Sequence, residues 1–457
     1  MHQAPATGSV SGIERSSPEE AYPRSAEWRA RAHDVIPAGC HTYSKGDDQF
    51  PALSPGFIAR GSGCMVEDVD GNSFVDWGMG LRSVILGHGY PRVLEAAAAA
   101  MRDGTNFTRP STLEVELAEE LRELIPCAEM VKFAKNGSDV TTAAVRLARA
   151  YTGRTLVAFP YEEPFHSVDD WFIGLTAMDA GIPEETKALS LRYHYGDLAS
   201  LEALFAAHPG EIAAVVTEPA MFAEPPAGYL EGLARLTRAN GALVVFDEMI
   251  TGFRWHAGGA QAYYGVTPDL ACFGKAIGNG FSVSALAGSR EVMQLGAFDH
   301  DRPRVFLLSL THGGETHALA AGRATIAEVA ERDVVGHIWR IGKQLQDGLD
   351  EAAAAAGLAE VVHTAGYPCS PALLFEPADA SLAPALRTLF LQETIARGIL
   401  MPYLAPSFSH GPAEVERTVE AAAAAFARVE RVLAGEPVGD HVVGELVRPV
   451  FRRFGRA

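Results

Sequence analysis

The chain has 457 residues, a formal net charge of −19 at pH 7 and a hydrophobic content of 48%. This is the composition of a globular protein with enough apolar material for one large domain and a smaller one. An acidic surface argues against binding to nucleic acid or to an anionic membrane through bulk charge.

The cysteines and the N-terminal segment indicate a reducing compartment. The five cysteines are scattered without a CxxC pair, so neither a disulfide framework nor a metal site is expected. The first residues are rich in Ser, Pro, Gly and Glu and lack an apolar run, unlike a signal peptide. No apolar stretch is long enough to span a bilayer. We therefore expect a cytoplasmic protein with a flexible N-terminus over residues 1–30.

A hairpin and two helices are predicted in the first part of the chain. Short alternating runs flank the tight-turn sequence Asp70-Gly-Asn72 and predict the hairpin. An alanine-rich run over 93–101 predicts the first helix. Leucines at helical spacing over 112–124, with Ser111 or Thr112 as N-cap, predict the second.

From residue 130 onward, predicted strands and helices alternate. The strands are expected over 131–134, 156–159, 212–217 and 242–246, and the helices over 141–151 and 230–239. The apolar residues of the last strand run without alternation, which is typical of a strand buried on both faces. This alternation predicts a mostly parallel sheet with helices on both sides. Helices dominate after residue 335.

Lys275 is the first candidate for chemistry. The chain has six lysines, and this one follows the apolar segment 270–273 and precedes Gly278-Asn-Gly280. That context places it at a strand end, where the glycines allow a ligand to approach closely. A partly desolvated lysine has a lowered pKa and can form imines.

Two acids and a glycine-containing turn are the other candidates. Asp247 and Glu218 each follow a predicted strand, and ligands of open α/β sheets bind at the carboxyl ends of strands. A carboxylate buried there requires a partner, which a protonated ring nitrogen, a salt bridge or a helix end would supply. The turn 136–139 precedes a helix and offers backbone N–H groups to an anion, although such residues are also common in ordinary turns.

The turn 136–139, the acids that follow two strands and Lys275 at a later strand end occur in an order that resembles the class III, fold-type I aminotransferases. Within that family, the sequence resembles the group similar to glutamate-1-semialdehyde aminomutase. The resemblance runs from about residue 35 to about residue 430. The matching segments are Asn136-Gly-Ser-Asp139, Thr217-Glu-Pro219, Val245–Arg254, Tyr264–Asp269 and Phe273–Gly280.

The resemblance implies an α/β fold with two domains. The large cofactor-binding domain, over 96–335, would contain a mostly parallel seven-stranded sheet flanked by helices. A small α+β domain would be built from 31–95 and from the C-terminal segment and tail, 336–457.

The resemblance also implies a cofactor, pyridoxal 5'-phosphate, which alternates with pyridoxamine 5'-phosphate. Lys275 would form the Schiff base with it and carry the proton between substrate and cofactor. Asp247 would pair with the pyridine nitrogen and keep it protonated. The backbone of Gly137 and Ser138 would hold the phosphate.

Three further residues are assigned by the same resemblance. Phe165 would stack on the cofactor ring, and Glu218 would lie near its phenolic oxygen. Thr311 resembles the family's phosphate-binding threonine, which the neighbouring subunit supplies. We therefore expect a homodimer with shared active sites and an inactive monomer.

One departure bears on the substrate. Lys45 stands where the aminomutase has an arginine that grips the substrate carboxylate, and lysine does not reproduce the bidentate contact of arginine. We therefore expect a ping-pong aminotransferase that moves an amino group from a donor such as glutamate or glutamine to an aldehyde or ketone. With this departure, the sequence resembles aminotransferases of aminoglycoside and aminosugar pathways in antibiotic biosynthesis. This resemblance implies a 6'-oxo aminoglycoside or another oxidised aminosugar as acceptor.

Two alternatives stay open. An epimerase or aminomutase on a related substrate would begin with the same proton abstraction. A non-catalytic binding protein on the same scaffold would not need Lys275.

Overall fold

The computed structural model describes residues 17–163, 165–220 and 223–452. Its strands are β1 (Ile58–Ser62), β2 (Met65–Asp68), β3 (Ser73–Asp76), β4 (Met130–Ala134), β5 (Leu156–Pro160), β6 (Ser190–Tyr193), β7 (Ile212–Thr217), β8 (Leu243–Asp247), β9 (Leu270–Phe273), β10 (Ser284–Gly288), β11 (Val362–Tyr367), β12 (Ser370–Phe375) and β13 (Ile399–Leu400).

The helices are α1 (Pro18–Ala21), α2 (Pro23–Val35), α3 (Met79–Arg82), α4 (Pro91–Asp103), α5 (Thr112–Leu124), α6 (Gly137–Thr152), α7 (Asp170–Ile173), α8 (Glu184–Lys187), α9 (Leu198–Ala207), α10 (Tyr229–Ala239), α11 (Ala260–Tyr264), α12 (Arg290–Met293), α13 (Thr316–Glu331), α14 (Val334–Ala355), α15 (Ala383–Ala396) and α16 (Pro412–Leu433). Within the described ranges, none of them combines the length and apolarity needed to cross a membrane.

The chain divides into two compact units. Of the described residues, the first unit comprises 17–81, 86–90 and 336–452, and the second comprises 82–85 and those within 91–335. Much of the predicted flexible start, residues 1–16, lies outside the described residues, and the rest of that stretch is helical in α1 and α2.

The second unit is built on a seven-stranded sheet with the strand order β4-β10-β9-β8-β7-β5-β6. The neighbours from β9 to β6 are parallel, and β10 runs antiparallel to both β4 and β9. Strands β5, β7, β8 and β9 are buried along their whole length, as expected for a sheet covered on both faces. The predicted mostly parallel, seven-stranded α/β fold is confirmed.

Local sequence accounts for most element boundaries in this unit. Helix α5 and strand β7 have the predicted limits. Helix α6 begins at Gly137, four residues before the predicted start, because the Asp139 carboxylate accepts hydrogen bonds from the backbone N–H groups of Asn136, at 2.8 Å, and Lys135, at 3.2 Å. A carboxylate at this position satisfies donors that the helix itself leaves unpaired.

The first unit contains a four-stranded sheet with the order β1-β2-β3-β13 and the hairpin β11-β12. Strands β2 and β3 are antiparallel, which confirms the hairpin predicted around Asp70-Gly-Asn72. The core of this unit packs Val75 of β3 and Trp77, which follows that strand, against the apolar faces of α14, α15 and α16.

Candidate active site

Four polar side chains follow neighbouring strands of the large sheet. Glu163, Glu218, Asp247 and Lys275 stand at or after the carboxyl ends of β5, β7, β8 and β9. Because these strands are adjacent and parallel in the sheet, their carboxyl ends form one edge. That edge is where α/β folds bind ligands.

Lys275 has an unusual backbone and a shifted pKa. Its φ of 44° lies in the left-handed region, which a residue other than glycine adopts at a cost of about 1–3 kcal/mol. Desolvation lowers the pKa of its amine, and the charges of Arg82 and Arg254 act in the same direction, against those of Glu218 and Asp247. The residue keeps part of its surface accessible. A lysine in this environment is a good nucleophile toward a carbonyl carbon and a ready carrier of a proton.

Asp247 is buried and belongs to a hydrogen-bonded chain of charged groups. Its Oδ2 lies 2.7 Å from Nδ1 of His166, and its Oδ1 accepts a hydrogen bond from the backbone N–H of Met249 at 3.1 Å. The other ring nitrogen of His166, Nε2, contacts a carboxylate oxygen of Glu163. Burial by itself would lower the pKa of His166, but the charge of Glu163 and the hydrogen bonds to both carboxylates raise it to about 10.

Glu218 is the third acid at this edge. Burial, together with the neighbouring charges of Asp247 and Glu163, raises its pKa to about 8. Its backbone N–H donates to Oε1 of Glu163 at 2.7 Å. Near neutral pH Glu218 is therefore mostly protonated, whereas Asp247 faces a charged histidine.

The N-terminus of α6 supplies backbone donors beside this group. Gly137 and Ser138 are the first two residues of the helix, where N–H groups have no partner within the helix. A Cβ added to Gly137 would lie 2.9 Å from the sulphur of Met249, and one added to Gly274 would lie 2.6 Å from the same atom. Met249 thus packs against both the start of α6 and the residue preceding Lys275, which leaves no room for larger residues at either glycine.

Phe165 directly precedes His166, on the segment between β5 and α7. Its ring is 43% exposed and meets Phe172 edge-on at 5.8 Å between centroids. The segment is tied to α6 by two hydrogen bonds: the Thr141 hydroxyl donates to the carbonyl of His166 at 2.9 Å, and the Val168 N–H donates to the Ser138 hydroxyl at 3.0 Å. The exposed ring is available for stacking on a ligand.

Thr311 lies elsewhere in the unit. It lines a cavity of about 190 Å³ whose lining residues include none of the other predicted site residues, and its carbonyl accepts a hydrogen bond from Asn106 at 2.9 Å. Thr311 is exposed to solvent. The structure therefore brings together all the predicted site residues except Thr311.

Glu163, His166 and Arg254 were given no role in the predictions from sequence. Arg254 is buried, and its Nη2 donates to the carbonyl of Arg82 at 3.0 Å. Glu163 and His166 follow the buried strand β5, so the reasoning that selected Asp247 and Glu218 would also have selected them. Arg254 follows a loop after β8 and carries no comparable local signal.

A desolvated lysine and several buried acids at the carboxyl edge of a seven-stranded α/β sheet define the class of fold-type I transferases. The chain belongs to the class-III aminotransferase family, whose family model matches residues 43–373.

The relatives and solved structures agree with this family. The chain is 37% identical to glutamate-1-semialdehyde 2,1-aminomutase of Desulforudis audaxviator over 88% of its own length and 97% of the relative's. It is 28% identical to the FumI protein of Sphingopyxis sp. MTA144, solved in its PLP internal aldimine form, with a TM-score of 0.83 over 92% of this chain and 99% of that one. An omega-transaminase from Sphaerobacter thermophilus is also 28% identical, with a TM-score of 0.81 over 89% and 98%.

Proposed function

We propose that the chain is an enzyme dependent on pyridoxal phosphate that moves an amino group, with Lys275 as its catalytic residue. The observation that carries the proposal is the amine of Lys275, which has a lowered pKa and shares one sheet edge with Asp247 and Glu218. The cofactor-bound transaminase structures similar to this chain support the choice of cofactor.

The residues at this edge fit pyridoxal phosphate. The amine of Lys275 matches the aldehyde, the buried carboxylate of Asp247 matches the ring nitrogen, and the first-turn N–H groups of Gly137 and Ser138 match the phosphate. When bound, the cofactor supplies a carbonyl that condenses with amines and a protonated ring that withdraws electrons from the substrate.

The chain's own residues then hold the reactants and move the proton. Lys275 takes a proton from the substrate carbon and returns it, a task suited to an amine with a lowered pKa. Asp247, held by His166 and the backbone of Met249, would pair with the ring nitrogen of the bound cofactor. Glu218, mostly protonated near neutral pH, would be able to donate a hydrogen bond to the phenolic oxygen.

The reaction favoured is an exchange of amino and carbonyl groups between neighbouring carbons, the reaction of a 2,1-aminomutase. The support comes from relatives at 35–37% identity that cover 83–89% of this chain and carry that name. This favours the aminomutase alternative over the interpretation as an aminoglycoside aminotransferase, for which the comparisons provide no support.

Transfer from an external donor is the second candidate. Two observations favour it: Lys45 replaces the arginine expected to bind the substrate carboxylate, and the similar solved structures include transaminases. An aminoglycoside aldehyde is the narrower form of this candidate.

Isotope labelling separates the two candidates. Glutamate 1-semialdehyde carrying ¹⁵N is incubated with the enzyme and a large excess of unlabelled glutamate or alanine. An aminomutase retains most of the label in the isomerised product, whereas a transaminase releases it into the donor pool. Aminoglycoside aldehydes are assayed in parallel with the same donors, and a product aminated only there would replace the aminomutase assignment.

The role of Lys275 is tested on the loaded protein. Reduction with borohydride should attach the cofactor covalently to Lys275, as read by peptide mass spectrometry. Lys275→Ala should lose both attachment and turnover, while Lys187→Ala, which removes a surface lysine paired with Asp179 and Glu184, should retain both. Wild-type turnover by Lys275→Ala would refute the proposed function.

A further inference from the structure

The site contains a carboxylate, Glu163, for which the proposed chemistry has no use. The side chains of Glu163 and His166 are both 0% exposed. Burying an ionised carboxylate is costly unless it is paired and hydrogen-bonded. Because Glu163 is buried at the carboxyl edge of the sheet, the interactions that stabilise its carboxylate there need to be identified.

The contacts of Glu163 show which protonation state it takes. Its Oε1 accepts hydrogen bonds from the Thr217 hydroxyl at 2.5 Å and from the backbone N–H of Glu218 at 2.7 Å. Its Oε2 contacts Nε2 of His166. Oε1 thus accepts from two donors, and Oε2 faces a ring nitrogen that donates to it when His166 is charged, which fits the ionised carboxylate. Burial raises the pKa of Glu163, and these three donors oppose that effect.

The contacts of His166 are symmetrical. Nε2 faces Glu163, and Nδ1 lies 2.7 Å from Oδ2 of Asp247. A neutral imidazole has only one N–H and would place a lone pair against one of the two carboxylates. The imidazolium donates to both, and the two flanking carboxylates favour this charged form, because the charge of Glu163 and the hydrogen bonds to both carboxylates raise the pKa of His166 to about 10.

We infer that Glu163 is a positioning residue that holds His166 as an imidazolium and thereby keeps Asp247 ionised and fixed in orientation toward the cofactor. This inference rests on the proposed function, because it is the bound ring nitrogen that Asp247 serves. Without Glu163, His166 can satisfy Asp247 as the neutral tautomer with its proton on Nδ1. The charge that holds Asp247 in the ionised state is then lost.

The titratable groups around Glu163, His166 and Asp247 favour this arrangement of charges. The phenols of Tyr193 and Tyr229 feel the charge of Glu163, and burial raises the pKa of Tyr193 well above its usual value and that of Tyr229 to about 12. Both phenols are therefore neutral at physiological pH.

The buried Cys272 thiol feels the charge of Asp247, and its pKa is raised well above the usual value, chiefly by burial. Glu218 and Lys275 are further titratable neighbours, and the pKa of Glu218 is raised to about 8. Measurements at pH 7 and below therefore hold Glu218 largely in one state.

Glu163→Gln tests the inference because it keeps the size of the side chain and one oxygen to accept from Thr217 and Glu218. It removes the charge and places an NH2 group, which donates, where Oε2 faces His166. The matched control is Glu162→Gln, which alters the adjacent residue, whose carboxylate pairs with His194 at 2.8 Å on the surface. The full-length proteins are labelled with ¹⁵N in histidine rings, and the His166 signals are assigned with His166→Gln.

In the wild type and in Glu162→Gln, His166 should show two protonated ring nitrogens throughout the neutral range. In Glu163→Gln, its titration midpoint should fall by about 3 pH units, from about 10 into the neutral range, so that a neutral ring becomes detectable near pH 7. The affinity for pyridoxal phosphate should fall about tenfold, as expected for a lost charge-assisted hydrogen bond that orients a ligand-binding group. Glu163→Asp, which retains the charge, should recover part of both losses.

Two results would overturn the inference. One is a His166 midpoint in Glu163→Gln equal to that of the wild type, and the other is unchanged cofactor affinity despite a neutral His166. Failure of the proposed function has a different signature, because wild-type protein would then not bind pyridoxal phosphate at all.

Discussion

At the scale of single residues, the site is dominated by the cost of placing charged groups where water is scarce. Three carboxyl groups, one imidazole and one amine share the carboxyl edge of the sheet. Burial raises the pKa values of Glu163 and Glu218, and the adjacent carboxylates raise that of His166. Desolvation lowers the pKa of the Lys275 amine. The raised carboxyl pKa of Glu218 and the lowered amine pKa of Lys275 both favour exchange of protons with a substrate.

Glu218 should make stability depend on pH. Its pKa rises from 4.5 in the unfolded chain to about 8 in the native protein, so between these values the native state holds a proton that the unfolded state releases. The contribution of Glu218 to the free energy of unfolding is therefore complete below about pH 4.5. It is lost as the pH rises toward 8, by at most about 1.4 kcal/mol per pH unit.

Glu218→Gln removes this dependence. Relative to the wild type, the variant should gain a few kcal/mol in free energy of unfolding between pH 5 and pH 8.5, as measured by urea titration of the cofactor-free protein. Glu184→Gln, an exposed surface change, serves as the control. If the difference in free energy of unfolding between Glu218→Gln and wild type stayed constant across this range, Glu218 would not be protonated in the native state.

At the scale of elements, the start of α6 is the part of the site whose structure depends most clearly on neighbouring residues in the sequence. Asp139 caps the turn by accepting from two backbone N–H groups, and the two residues between it and Asn136 are those proposed to hold the phosphate. The cap and the anion site therefore depend on the same turn of backbone.

Asp139→Ala should loosen that turn. We expect a loss of about 1 kcal/mol in the free energy of unfolding and about a tenfold fall in affinity for pyridoxal phosphate. Fluorescence titration of cofactor-free protein measures the affinity, and urea titration measures the stability.

The matched control is Asp197→Ala at the start of α9. Asp197 accepts from the backbone N–H groups of Ala199, at 2.9 Å, and Ser200, at 3.2 Å, but it lies apart from the proposed site residues. It should lose similar stability without losing affinity. Equal losses of affinity in both variants would mean that the cap of α6 has no special connection to the cofactor.

At the scale of the whole molecule, the position of Thr311 bears on assembly. This residue lines a cavity without the other predicted site residues. The family resemblance predicts that it serves the site of a second copy in a homodimer. A symmetrical dimer would then carry two sites, each completed by the partner.

Mixing two inactive variants tests this arrangement. A mixed dimer of Lys275→Ala with Thr311→Ala has both changes in one site and none in the other. Unfolding and refolding an equimolar mixture should therefore restore about a quarter of wild-type activity, given random pairing. If Thr311 served the site of its own chain, each site of the mixed dimer would carry one change and no activity would return.

The fold and part of the site could be predicted from sequence because they depend on local patterns. A short apolar run predicted strand β7, and an apolar run without alternation predicted the buried strand β8. The residues that follow them were therefore candidates for the binding edge, and Asp247 was found in this way. Lys275 was found because it follows the apolar segment 270–273 and precedes Gly278-Asn-Gly280. The capping residue of α6 is equally local, although its early helix start was missed because Asp139 was interpreted as part of a turn.

The connection among the charged groups was decided by tertiary structure alone. His166 and Asp247 are 81 positions apart in the chain. They meet because the sheet places β5 and β8 on either side of β7, and the sequence of β7 does not encode that position. The raised pKa of His166 follows from that meeting, since one carboxylate comes from its own segment and the other from a distant strand. Periodicity and turn residues specify elements over a few positions, whereas the partners of a buried charge depend on which strand ends the packed sheet places side by side.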